Sequence, residues 1–258
     1  MMKVLITGAS KGIGQALAHE FAKHGHDLII SARDQHLLNQ LAINLKVQYA
    51  VQVDVIAMNL GEVGNALALV EAVNTKGHQI DCLVNNAGLG YLGDFVSMST
   101  DELNNLIQLN MTALSQLTHH YAQVFVNRKK GKILQVASLA AFQPGPRMAA
   151  YYASKAYVVS LSQALAYELK GTGVYLSILC PGATKTEFLH TAKMDDSILA
   201  KGYVGMMTAE KVAKIAYKGL EKNKLFIIPG VMNKLFAYSP SFVPSGISMR
   251  LVAFFHRE

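Results

Sequence analysis

Short apolar runs bounded by Gly, Asp or Asn alternate along this chain with longer segments whose apolar residues recur at helical spacing. The runs predict strands at 2–7, 27–31, 48–53, 81–85, 132–137, 174–180 and 225–228. The segments between them predict helices at 12–24, 34–45, 61–75, 101–127, 151–170 and 208–221. Runs this continuously apolar suit strands covered on both faces, because such strands have no solvent side toward which to alternate. The order therefore predicts an α/β fold, a doubly wound parallel sheet of about seven strands with right-handed crossovers in a single domain. Residues 1–230 form this domain, and residues 231–258 form an apolar extension. In sheets of this kind ligands bind beyond the carboxyl ends of the strands.

Composition narrows the picture. With 51% hydrophobic and 16% charged residues among 258, the chain is suited to a compact fold rather than disorder. The net charge of +7 suits nucleic acid, an acidic lipid surface or a polyanionic small molecule, but the basic residues are scattered, which disfavours nucleic acid. Cys82 and Cys180 each lie in an apolar run without a CxxC spacing, as expected of reduced thiols in a cytoplasmic compartment. The nine histidines, including His119 and His120, lack zinc-site spacing, so no metal is expected. The run after Met1-Met2-Lys3 stops at Thr7-Gly8 and reads as a strand rather than a signal sequence. No uninterrupted apolar stretch reaches the roughly 20 residues of a spanning helix.

The first strand runs into Thr7-Gly8-Ala9-Ser10-Lys11-Gly12-Ile13-Gly14 and then into a helix. Gly8 permits a tight reversal, Gly12 lets backbone approach a pyrophosphate, and Gly14 allows close helix–strand packing. About twenty residues on, where a carboxylate would grip the ribose hydroxyl of NAD, the sequence places Ala32 followed by Arg33. A guanidinium there suits a 2′-phosphate, with Lys11 as a second cation, so NADP is favoured over NAD. Asp54 and Val55 are read as the end of the third strand and as an adenine contact. Asn85-Asn86-Ala87-Gly88 ends the fourth strand with two amides and residues small enough for a cofactor to lie against.

Tyr151 and Lys155 stand at i and i+4 of a helical segment, hence on one face, and Ser138 precedes them at a strand end. An ammonium about 4 Å from the phenol at an effective dielectric of 20 contributes about 4 kcal/mol before desolvation, which would draw the Tyr151 pKa down.

These motifs, in this order, resemble those of the short-chain dehydrogenase/reductases from about residue 2 to residue 229. The match comprises Thr7 to Gly14, Asn85 to Gly88, Ser138, Tyr151 with Lys155, and Pro181-Gly182. The resemblance implies a Rossmann-like fold and an oxidoreductase that moves a hydride between NADP(H) and a carbonyl or alcohol. It implies that Tyr151 transfers the proton, that Ser138 orients the substrate oxygen, and that Lys155 holds the nicotinamide ribose. Asn110 matches the family's Asn that supports Lys155 through a water. The loop with Pro181, Gly182, Thr184 and Thr186 would fix the nicotinamide carboxamide, and Ser10 and Ile13 would line the phosphate turn. A homodimer or homotetramer is expected.

Residues 187–207 read as a substrate lid, in which His190, Met194, Ile198, Leu199, Met206 and Met207 suggest a hydrophobic substrate. Beyond residue 229 lie Met232 to Tyr238, then Pro240, Pro244 and Gly246, then a segment with Arg250, Leu251, Val252, Phe254, Phe255 and Arg257. That ending suits a helix on the substrate cleft, on a second subunit or on a membrane surface, with packing against protein preferred.

Overall fold

The computed structural model describes residues 1–192, 194, 197–198, 206–238 and 245–256. Strands β1 (Lys3–Thr7), β2 (Asp27–Ala32), β3 (Val53–Ala57), β4 (Cys82–Asn85), β5 (Gly131–Val136), β6 (Val174–Leu179) and β9 (Phe226–Ile227) form one seven-stranded parallel sheet in the order β3-β2-β1-β4-β5-β6-β9. Strands β7 (Thr184–Lys185) and β8 (Met207–Thr208) pair separately. The chain turns outward in opposite directions from β1 and β4, so the crevice at the carboxyl ends of these two neighbours is the topological switch point.

Side-chain alternation divides the core between the two faces. Val4, Ile6 and Ile30 point toward helices α1 (Gly12–Lys23), α2 (Gln35–Tyr49) and α8 (Ala209–Glu221), where they meet Leu17, Phe21, Leu38 and Leu220. Leu5, Ile29 and Leu83 point the other way, toward α3 (Asn65–Thr75), α5 (Leu114–Asn127) and α6 (Ala149–Glu168), with Leu69, Leu117, Phe125 and Val158. The doubly wound single sheet expected from the pattern is therefore what forms.

Two differences from the expected boundaries bear on the site. The third strand begins at Val53 rather than ending there, because α2 continues through Tyr49 and stops only where Ala50 adopts the left-handed conformation, φ 54°. The helix expected over 101–127 is interrupted. Helix α4 (Thr100–Ile107), closed at its start by the reciprocal Ser99–Glu102 capping box, passes into a π-helical turn at Gln108–Ala113 before α5 begins. The π-turn carries Asn110, which is buried and bonded to Leu89 and Ser154 beneath the cleft lining; π-turns of this kind are frequent at functional sites. Beyond β6, α7 (Phe188–Thr191) precedes the β8 pairing, and α9 (Val231–Tyr238) and α10 (Ser245–Phe255) complete the chain.

Candidate active site

A cleft of about 870 Å³ opens at the switch point. Its floor begins with the glycine turn. Gly8 and Gly12 hold φ of +64° and +57°, and a Cβ on Gly14 would lie 2.2 Å from the Gly8 carbonyl oxygen. Asn86 ties the next loop to this turn: its side-chain amide donates to the Thr7 and Gly8 carbonyls, each at 3.0 Å, while the Thr7 hydroxyl accepts from the Asn86 and Ala87 amides. Asn86 thus spends its donors on the cradle itself.

Helix α1 starts at this turn, and no described side chain caps it; its first turn has no acidic residue. By contrast, Asp34, Ser99 and Thr208 cap α2, α4 and α8. An uncapped N-terminus behind a glycine turn is a donor set suited to a pyrophosphate. Gly8, Ser10, Lys11, Gly12, Ile13 and Arg33 all line the cleft. Asp34 beside Arg33 is occupied, because its carboxylate accepts from the Leu37 amide at 3.0 Å.

Asp54 and Val55 do not reach this site, which corrects the expected adenine contact. With β3 shifted toward later residues, Asp54 pairs with Ile29 in mid-sheet and its carboxylate meets His78 Nε2 at 3.1 Å. Ala57 is the residue level with Ala32 at the strand ends, so Met58, Asn59 and Leu60 line the cleft instead. The signal was available in the next polar residue along the run, Asn59, once the strand is placed correctly.

The reactive groups converge on the opposite wall. Tyr151 and Lys155 lie one turn apart on α6, with the Lys155 Nζ 5.8 Å from the Tyr151 ring centre. Lys155 is buried and donates to the Val136 carbonyl at 2.9 Å. Ser138, just past β5, lines the same cleft as Tyr151 and accepts from the Ala140 amide at 3.1 Å. Burial pushes the Tyr151 pKa up to about 12, and the neighbouring Ser138 hydroxyl only partly offsets this. The expected lowering by Lys155 is outweighed because burial also disfavours the ammonium, whose pKa falls to about 8.

Asn110 donates to the Leu89 carbonyl at 2.8 Å and to the Ser154 hydroxyl at 3.0 Å, and accepts from the Leu89 amide at 2.9 Å. It fixes the strand β4 loop against α6. A Cβ on Gly88 would stand 3.3 Å from Asn110 Oδ1 and 3.4 Å from Lys155 Nζ, so a side chain there would crowd both groups. Ser154, the residue that joins Asn110 to the reactive helix, was not singled out by the sequence pattern. Ala87, Pro181, Gly182, Thr184 and Thr186 also line the cleft; Thr184 donates back to the Gly182 carbonyl at 2.9 Å.

The remaining wall comes from the later chain. Phe188, Leu189 and buried Met194 pack with Met148 beside Tyr151, whereas His190 is exposed and Met207 belongs to β8. Met206 and Ile198 are half-buried outside the cleft lining, and Leu199 lies outside the described residues. Helices α9 and α10 close the far side with Phe236, Leu251 and Phe255. His256 anchors this closure: Arg147 donates to its carbonyl at 2.7 Å, its Nδ1 donates to the Pro146 carbonyl at 2.8 Å, and its Nε2 lies 3.2 Å from the Tyr152 hydroxyl. Of the three placements expected for the tail, the cleft is the one these contacts describe.

Comparison with known proteins agrees with this geometry. A short-chain dehydrogenase from Sphingobium yanoikuyae, solved in complex with NADPH, is 33% identical and superposes with a TM-score of 0.85 over 98% of this chain and 96% of that one. A 7beta-hydroxysteroid dehydrogenase from Clostridium sardiniense is 30% identical over 230 residues, covering 89% of this chain and 86% of that protein. The human inactive hydroxysteroid dehydrogenase-like protein 1 is 34% identical over 179 residues, which span 69% of this chain and 54% of that protein. Since residues 2–197 also match the family model for short chain dehydrogenases, the chain belongs to that family of oxidoreductases.

Proposed function

We propose that this protein reduces a bulky apolar carbonyl, or oxidises the corresponding alcohol, with NADP(H) as hydride carrier. The observation that carries the reading is the placement of Ser138, Tyr151 and buried Lys155 together on the cleft wall. When bound, the nicotinamide supplies or accepts the hydride; the chain positions the partners and handles the proton. A phenol with a pKa near 12 is protonated at neutral pH, which readies Tyr151 as the acid for carbonyl reduction. Ser138 holds that phenol and the substrate oxygen, while Lys155 holds the ribose.

NADP is favoured because Ala32 offers no carboxylate, Asp34 is committed to capping α2, and Arg33 and Lys11 border the cleft. The NADPH-bound relative supports this choice. The apolar wall of Phe188, Leu189, Met194 and Phe236 supports a hydrophobic substrate, as does kinship with a hydroxysteroid dehydrogenase. Free, buried Cys82 and Cys180 suit a reducing cytoplasm, and a homodimer or homotetramer is proposed with it.

A second reading is a cofactor-binding protein without turnover, favoured by the human relative described as inactive. NADPH oxidation with a series of bulky ketones separates the two. Turnover is expected, and Tyr151→Phe should lower it about a hundredfold while NADPH affinity stays nearly unchanged. Tight NADPH binding with no oxidation of any ketone would establish the binder instead.

A further inference from the structure

We propose that α9 and α10 form a docking surface for an anionic lipid bilayer, with the mouth of the cleft turned toward it. These helices use some side chains to line the cleft and leave others in solvent. Leu235 and Ile247 do both, lining the cleft while 61% and 59% exposed. Val231, Met232 and Phe254 lie outside the lining and are 75%, 61% and 49% exposed. The apolar interior of the cleft is therefore continuous with an apolar rim at its opening. Apolar groups clustered this way mark a site of association.

Charge identifies the partner. From Lys222 to Arg257 the sequence contains no Asp or Glu, while Lys222, Lys224, Lys234, Arg250 and Arg257 are basic. Lys222, Lys224, Lys234 and Arg250 are exposed. Residues 103–167 also lack Asp and Glu, but there the exposed large apolar side chains are Ile107, Tyr157 and Tyr167, so it is in the tail that a segment without carboxylates coincides with an apolar rim. Apolar side chains for the acyl boundary, beside lysine and arginine for headgroup phosphates, are the two components of an interfacial helix. Among the described residues no helix is long and apolar enough to cross a membrane, so the contact is peripheral. A second copy of the chain would cover the same apolar groups, but it would bring its own uncompensated basic residues to the contact. A lipophilic substrate could then pass from bilayer to cleft without crossing water; that consequence alone rests on the proposed activity.

The full-length protein should co-sediment with phosphatidylcholine vesicles containing phosphatidylglycerol at least about tenfold more strongly than with phosphatidylcholine alone, and less so at high salt. The double variant Met232→Glu, Phe254→Glu should lose that binding about tenfold or more while its NADPH affinity and helical content are unchanged. Lys234→Glu with Arg250→Glu should abolish the preference for phosphatidylglycerol. Absence of sedimentation with either vesicle would overturn the proposal, as would equal binding to both. A concentration-dependent dimer that Met232→Glu dissociates, without vesicle binding, would assign the surface to a second copy. None of these readouts requires turnover, so they stand apart from the test of the proposed activity.

Discussion

The two walls of the cleft are built by different means. On the side of the glycine turn, shape is set by backbone: Gly8 and Gly12 hold left-handed conformations, Gly14 meets a carbonyl closer than any Cβ could, and Thr7 and Asn86 tie two loops together. On the side of α9 and α10, shape is set by side chains held through a few long-range hydrogen bonds at His256. The first wall has little latitude for substitution, as suits a ligand of fixed shape. The second tolerates exchange of one apolar side chain for another, as suits the part of a binding site that selects substrate.

The largest expected effect breaks this contrast at its strongest point. Gly14→Ala would place a methyl 2.2 Å from the Gly8 carbonyl oxygen and 2.4 Å from Asn86 Nδ2, so the turn must open. A loss of about 3 kcal/mol or more in urea unfolding is expected, accompanied by loss of cofactor binding. Gly246→Ala in α10 has nothing within 4 Å of the new methyl. It should be neutral or stabilising by up to about 1 kcal/mol, since alanine favours helix. Similar losses from both substitutions would erase the distinction between the walls.

The same contrast decides how much could be read from the sequence. Gly8 to Gly14, Asn85 to Gly88 and the pair Tyr151–Lys155 are legible because each follows from a local requirement of a turn or of helical spacing. The third strand lies later than the run 48–53 suggests, because Tyr49, Val51 and Val53 look strand-forming whereas Tyr49 ends α2 and the strand starts only at Val53. The shift leaves Asp54 inside the sheet and brings Met58–Leu60 to the cleft. The π-turn that carries Asn110 leaves the apolar spacing of a continuous helix almost intact, so periodicity did not reveal it. The raised Tyr151 pKa depends on burial by Phe188 and Met148, which no i to i+4 argument contains. His256 meets Tyr152 across 104 positions, and local patterning carries no trace of such a contact.

Arg33 sharpens the comparison on the turn side, because it is the exposed, replaceable element of an otherwise rigid wall. Arg33→Ala removes a charge-assisted phosphate contact worth roughly 1.5–3 kcal/mol, so NADPH affinity should fall by about one to two orders of magnitude. NADH affinity should change little. Fluorescence titration with both cofactors checks this, and equal losses would show that Arg33 does not face the 2′-phosphate. Lys11→Ala should give a smaller, salt-sensitive loss.

The smallest effect tests the other wall. The Pro146 carbonyl can only accept, so His256 carries its proton on Nδ1 and receives the Tyr152 hydroxyl at Nε2. Burial lowers the His256 pKa below the ordinary 6.5; the Pro146 carbonyl opposes the shift and the Arg147 guanidinium adds to it. Between the lowered value and 6.5 the unfolded chain binds more protons than the folded one. Stability from this group is therefore complete above 6.5 and declines as pH falls through that window. His19, His26 and His120 shift in the same direction, so the global unfolding curve mixes all four. Hydrogen exchange resolves them by region: protection of residues 245–256 should fall on acidification while α3, which contains no histidine, is affected less. His256→Ala leaves the Pro146 carbonyl and Tyr152 hydroxyl without these partners, which should lower tail protection by about 1–2 kcal/mol at neutral pH. The same substitution should also remove most of the tail's pH dependence. Tail protection that is independent of pH in the unmodified protein, or unchanged in His256→Ala, would show that apolar packing of α10 holds this wall without the histidine.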